Sequence, residues 1–105
     1  MPCSRNDVIL LPVPFTDQSS HKVRPAVVVG CETRYGDLFI VPISSQSENT
    51  DFALQNWQSA GLNVPCGVKA QLATVTKDLV IKTVGRLSAV DQSILDQRLR
   101  QWLGL

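Results

Sequence analysis

The chain has 105 residues and little of what much protein chemistry requires. It contains one histidine, His21, so a single copy cannot assemble a two-imidazole acid–base pair. Its three cysteines, Cys3, Cys31 and Cys66, lie far apart and form no CxxC pair. An odd count excludes a complete disulfide framework, and the spacing matches no zinc motif. Reduced thiols are the plain reading. No apolar run approaches the roughly 20 residues needed to cross a bilayer as a helix. The first residues are polar, with no secretory pattern, so a cytoplasmic protein away from membranes is expected. An excess of charge of either sign is also missing. A net charge of +1 is not the signature of a non-specific nucleic-acid binder. It leaves room for a local basic groove, to which Arg5, His21, Lys22, Arg24, Arg34 and Lys69 could contribute. Repeats, linkers and low-complexity tracts are absent as well.

What is present is a folded chain of ordinary composition, 44% apolar and 18% charged. The length fits one domain, residues 1–105, able to bury a core without disulfides. Residues 8–13 form an apolar, partly β-branched run and read as a buried strand whose Pro-x-Pro end limits pairing. Residues 16–23 read as a polar loop, in which Asp17 suits a capping role. Residues 24–31 and 38–43 read as an antiparallel hairpin, turned at Arg34-Tyr35-Gly36-Asp37. Residues 45–51 are polar, and residues 52–61 suit either a short strand or a short helix ending at Gly61. Residues 68–75 and 80–87 read as two further strands. Ser88 then caps a helix, with Asp91 in its first turn. Val90, Ile94, Leu95, Leu99, Trp102 and Leu103 recur at helical spacing. Short strands closed by one C-terminal helix predict a mainly β fold, a small barrel.

The most informative stretch is residues 12–29, a polar loop clamped between two apolar β-type runs. Arg24 sits at its seam, directly before Pro25. A following proline disfavours the α region, so Arg24 is expected to be extended at the mouth of a strand. An arginine fixed there, beside His21 and Lys22, suits an anion site.

The order of these pieces resembles the MazF/PemK-like toxins of type II toxin–antitoxin systems. The matching pieces are PVPFTD at 12–17, KVRPAVVV at 22–29, and GDLFIVPISSQ at 36–46. Ala60-Gly61-Leu62, Val64-Pro65 and Val84-Gly85-Arg86-Leu87-Ser88 follow. The resemblance covers nearly the whole chain. It implies an SH3-like barrel that dimerises and a metal-independent endoribonuclease without a cofactor. The substrate implied is single-stranded RNA, cut by its own 2′-hydroxyl to leave a 2′,3′-cyclic phosphate and a 5′-hydroxyl. A cognate antitoxin would block the groove, and DNA would be met only through the antitoxin complex.

The resemblance also assigns residues. Arg24 falls on the family's catalytic arginine. A guanidinium is a poor free base, so clamping and neutralising a phosphate is its physical role. Ser44 falls where the family usually has threonine and keeps the hydroxyl. Gln46 would follow on the same strand face by period two. Lys69 lies where some members carry arginine, and keeps the charge without the planar fork. Gln71 lies where some carry a carboxylate and others glutamine. His21 and Lys22 could contact phosphate or base, although an exposed loop histidine needs no such role. Trp57 could stack on bases, whereas Trp102 suits core or dimer packing. Cys66 reads as a small apolar residue, not a nucleophile. Two rival readings remain. A CcdB-like poison of a protein target such as DNA gyrase would use the same barrel without needing Arg24 and Ser44. A catalytically weak binding module would fit the serine at 44 and the lysine at 69.

Overall fold

The computed structural model describes residues 3–12 and 23–105. The expected site residues His21 and Lys22, and the loop residue Asp17, lie outside the described residues. Seven strands form one antiparallel sheet: β1 (Asp7–Pro12), β2 (Val23–Cys31), β3 (Leu38–Ser44), β4 (Phe52–Ala53), β5 (Gly67–Val68), β6 (Ala73–Val75) and β7 (Lys82–Arg86). Helix α1 (Ala89–Leu103) follows. The hydrogen-bonded order is β4-β5-β3-β2-β1-β7, with β6 also pairing β3. This is the mainly β architecture with a C-terminal helix that the sequence predicts.

The continuous apolar runs of β1, β2 and β3 have a simple cause: these central strands are buried on both faces. One face packs Val8, Val27, Val41 and Ile43 with Phe52, Val68, Leu95 and Leu99. The opposite face packs Ile9, Leu11, Ala26, Val28, Leu38 and Ile40, closed over by Cys3, Ala73, Val75 and Val80. Each such side chain contributes about 2 kcal/mol through the apolar area it removes from water. The expected β2–β3 hairpin is present, with Val27 opposite Val41. Its turn is held by the Glu32 carboxylate, which accepts the backbone N–H groups of Arg34 and Tyr35, and Gly36 closes it at φ 77°.

Three local expectations need correction. The strand expected over 68–75 is two pieces, β5 and β6. Val68 pairs Ile43 and Ala73 pairs Ile40, so five steps of chain face three steps of β3. The surplus bulges out at Ala70, whose N–H donates to the Asp51 carboxylate at 2.7 Å. Residues 52–61 are neither wholly strand nor helix. The two-residue β4 is followed by turns closed by Ala60 N–H to Trp57 O and Gly61 N–H to Gln58 O. On α1, Val90 and Leu103 are exposed despite their helical spacing, and the buried positions are Asp91, Leu95 and Leu99.

Asp91 is fully buried. Ser88 caps the helix as expected, its Oγ accepting the Asp91 N–H. The Asp91 carboxylate turns outward from its own helix and accepts the N–H of Gln55 at 2.8 Å and of Asn56 at 2.9 Å. The Asn56 side-chain amide completes the tie by donating to Ser88 Oγ at 2.8 Å. Beyond this tie the turn meets β7 main chain to main chain. A Cβ on Gly61 would stand 2.2 Å from Val84 O, and one on Gly85 2.3 Å from Ala60 O.

Replacing Asp91 by alanine leaves two partly buried N–H groups without acceptors. Hydrogen bonds to charged groups contribute about 1.5–3 kcal/mol each. Asp91→Ala is therefore expected to lower unfolding free energy by about 3 kcal/mol in urea titration, and a loss below about 1 kcal/mol would contradict this reading of the tie.

Candidate functional site

The site is built at one end of the β2–β3 pair. β1 and β2 are paired at this end up to Pro12 and Val23. Arg24 is extended within β2, as a residue before proline should be. The register Ala26–Pro42, Val27–Val41, carried on to the strand ends, sets Ser44 across from Arg24. Directly opposed residues share a sheet face. On the other side of β3, Ile43 pairs Val68 and the Lys69 N–H donates to Pro42 O at 3.0 Å. Alternation along the strands then puts Arg24, Ser44 and Lys69 on one face.

The remaining expected residues are placed differently. β3 ends at Ser44, so period two does not carry through to Gln46. The chain bends instead, and the Gln46 N–H donates to Ser44 Oγ at 3.1 Å. The Gln46 side-chain carbonyl is occupied by the Asn49 amide at 2.7 Å. Ser44 Oγ therefore serves as an acceptor inside the chain and keeps its own O–H as a donor to a ligand. Gln71 lies exposed in the excursion between β5 and β6. Two residues expected to contribute to a wider basic groove, Arg34 and Arg5, are engaged elsewhere. Arg34 sits in the turn at the far end of the hairpin, over the Tyr35 ring, and Arg5 is paired with Asp96 at 2.9 Å. Trp57 and Trp102, the latter on α1, are half-buried against the core.

Arg24 differs from the other arginines in one respect. Among the described residues it alone makes no hydrogen bond, ion pair or ring contact through its guanidinium. Arg5 and Arg100 share Asp96, Arg86 pairs with Asp7, and Arg98 donates to Asp51 O. Those two arginines hold the Asp96 carboxyl below its ordinary range, chiefly through the Arg100 hydrogen bond. Arg24 is exposed with all its donors unused.

It also borders a cavity of about 650 Å³. Apolar walls come from Leu10, Ile43, Leu62, Val64 and Val84, and polar ones from Ser45, Asn63, Lys82 and Thr83. No carboxylate is among the described lining residues. Sequence reading missed Ser45, Asn63, Lys82 and Thr83. They come from three separate segments, two of which meet where Gly61 approaches Val84 and Gly85 approaches Ala60. Cys66 lines the same cavity, its Sγ donating to Val64 O at 3.2 Å, and burial pushes its thiol pKa up. No group of three or more histidine, cysteine, aspartate or glutamate side chains that could hold a metal is found among the described residues. Among the described residues no helix is long and apolar enough to cross a membrane.

The raised thiol pKa has a measurable sign. The thiolate is the reactive form, so a higher pKa lowers its fraction at neutral pH. At pH 7.5, alkylation followed by peptide mass spectrometry is expected to label exposed Cys31 well before Cys66. Cys66 labelling should accelerate only at more alkaline pH, and first labelling at Cys66 would refute the assigned environment.

Comparison with known proteins agrees with this architecture. Residues 4–103 match the family described as PemK-like, MazF-like toxin of type II toxin-antitoxin system. Among solved structures, the chain is similar to an endoribonuclease in complex with its cognate antitoxin from Mycobacterial species. That likeness has a TM-score of 0.73 at 17% identity, covering 99% of this chain and 95% of the other. At that identity it speaks for the fold. No curated protein matches.

Proposed function

Since the chain belongs to the PemK-like, MazF-like toxins of type II toxin–antitoxin systems, we propose that it is an endoribonuclease that cuts single-stranded RNA without a metal. The observation that carries this reading is Arg24, unpartnered and exposed at a strand end, on one face with Ser44 and Lys69 by strand register. Such a cluster has positive charge and a hydroxyl donor to offer a phosphodiester and no internal partner to lose.

The proposed reaction uses groups of the RNA itself. The 2′-oxygen attacks the adjacent phosphorus and the bond to the 5′-oxygen breaks. One proton passes, in net, from the 2′-hydroxyl to the departing 5′-oxygen. The products are a 2′,3′-cyclic phosphate and a 5′-hydroxyl. Negative charge grows on the non-bridging oxygens at the phosphorane, where Arg24 can donate two parallel N–H bonds. The free O–H of Ser44 donates to the same group, and Lys69 adds a point charge. Gln46 shapes the site through Ser44, while Gln71, His21 and Lys22 are proposed RNA contacts.

The neighbour's title names an antitoxin complex, and a cognate antitoxin is the proposed protein partner here too. A homodimer is proposed through a separate apolar surface. There an apolar groove of about 260 Å³ is lined by Val29, Phe39, Leu72, Leu99, Leu103 and Leu105. Leu72 is 49% exposed and Leu103 51% exposed, enough apolar surface to favour covering by a twin.

Two outcomes are expected. Purified protein in EDTA should produce discrete cuts with 5′-hydroxyl ends in a long single-stranded RNA. Arg24→Ala should lower the rate by about 10²–10³-fold. Its unfolding free energy should change by less than about 0.5 kcal/mol, because nothing inside the fold uses this side chain. Undiminished cleavage by Arg24→Ala would sink the assignment, and intact RNA with the wild type would favour a protein-poisoning toxin. Light scattering at micromolar concentration should give a dimer mass, with Leu103→Glu shifting it to monomer. A monomeric wild type would refute the proposed dimer.

A further inference from the structure

The cavity beside Arg24 has a division of labour that phosphate binding alone does not explain. A phosphate needs cations and donors on a surface. It has no use for a recess walled by Leu10, Ile43, Leu62, Val64 and Val84. The neutral polar groups of Ser45, Asn63 and Thr83 border the same recess. None of these three side chains makes a hydrogen bond within the described chain. Together they offer hydroxyl and amide donors and carboxamide and hydroxyl acceptors, but no charge. The two cations, Arg24 and Lys82, belong to different strands, β2 and β7.

Apolar walls, neutral donors and acceptors, and flanking cations match one nucleotide segment: the faces of a base, its edge, and the phosphates on either side. An acidic peptide could answer the cations and meet the neutral groups through its main chain, so it is the rival occupant that the test below separates. We propose that this cavity is a nucleobase pocket, in which Asn63, Thr83 and Ser45 read the edge of one unstacked base next to the phosphate held by Arg24, while Lys82 holds the neighbouring phosphate. The inference rests on the ribonuclease reading and adds to it the residues that set one position of the cut sequence. Asn63 is the chief reader, because its carboxamide alone among the neutral groups offers a donor and an acceptor side by side on a rigid plane.

The pocket fixes what each substitution does. Asn63→Ala and Thr83→Val alter exposed side chains without internal partners, so both proteins should fold. A randomised single-stranded RNA pool is cut with wild type and with each variant, and all new ends are sequenced. The wild type should show a base preference at several positions. In Asn63→Ala the preference at one of them should fall by about 10-fold, with the others unmoved. Thr83→Val should weaken the same position. Lys82→Ala should leave the cut sequence unchanged. Binding of a 2′-O-methyl copy of the cut sequence, which lacks the nucleophile, should weaken in this variant. The slope of log affinity against log salt should shrink by about 0.7. A profile identical to wild type in both Asn63→Ala and Thr83→Val would overturn the pocket while leaving the ribonuclease reading intact. A uniform loss at every position would likewise overturn it, marking the recess as structural. An RNA pool left whole by the wild type would overturn both, and binding of acidic peptides without binding of the methylated RNA would assign the cavity to a protein ligand.

Discussion

The carboxylate of Asp91 is the hinge pin of this fold. It lies fully buried at the start of α1 and spends its oxygens on the backbone of Gln55 and Asn56. A buried carboxylate is tolerable only when it is well hydrogen-bonded, and this one joins elements more than thirty residues apart. The helix it anchors lays Leu95 and Leu99 on one face of the sheet. The turn it holds carries Ala60 and Gly61 against β7, and from Gly61 the chain runs directly into the cavity wall at Leu62, Asn63 and Val64. The helix cap, the core and the cavity are thus linked in one chain of contacts, each dependent on the one before.

The opposite requirement governs the site. Almost every arginine in the described chain is spent on internal partners, whereas Arg24 is left idle at a strand end. Its backbone is constrained by pairing with Leu11 and by the following proline, so the side chain starts from a fixed root. Ser44 shows the same logic in smaller form. The bend after β3 uses the oxygen of its hydroxyl as an acceptor and leaves its O–H without an internal acceptor. Rigid roots with unspent hydrogen bonding are what a preorganised anion site needs, because no internal bond has to break when a ligand arrives.

Much of the frame was legible in the sequence because its signals are local. The apolar runs of β1, β2 and β3, the turn at Gly36 and the Ser88 cap each follow from neighbours in the chain. The departures are non-local. Nothing near Ala70 announces that the Asp51 carboxylate, nineteen residues away, would pull the chain out of the sheet. Asp91 looked like an ordinary first-turn acid, and only the arrival of Gln55 and Asn56 makes it a core residue. Val90 and Leu103 obey helical spacing but fall beside the stripe that meets the sheet. At the site, Arg24, Ser44 and Lys69 came from family resemblance, and strand register brings them to one face. Lys82 and Thr83 were invisible because they read as any polar residues on an exposed strand. Asn63 was equally silent within a loop. Their proximity exists only once β7 and the 61–66 segment have met.

The meeting of Gly61 and Gly85 has a bearing on how such a protein can diversify. Where two main chains touch with no side chain between them, the spacing is set by atoms common to every amino acid. The residues of these segments that border the recess, Asn63 on one side and Thr83 on the other, can therefore be exchanged without disturbing the scaffold that presents them. The joint and the lining are separated by one or two positions in the sequence. A lineage built on this joint could drift from one recognised base to another by single substitutions, each passing through a folded intermediate.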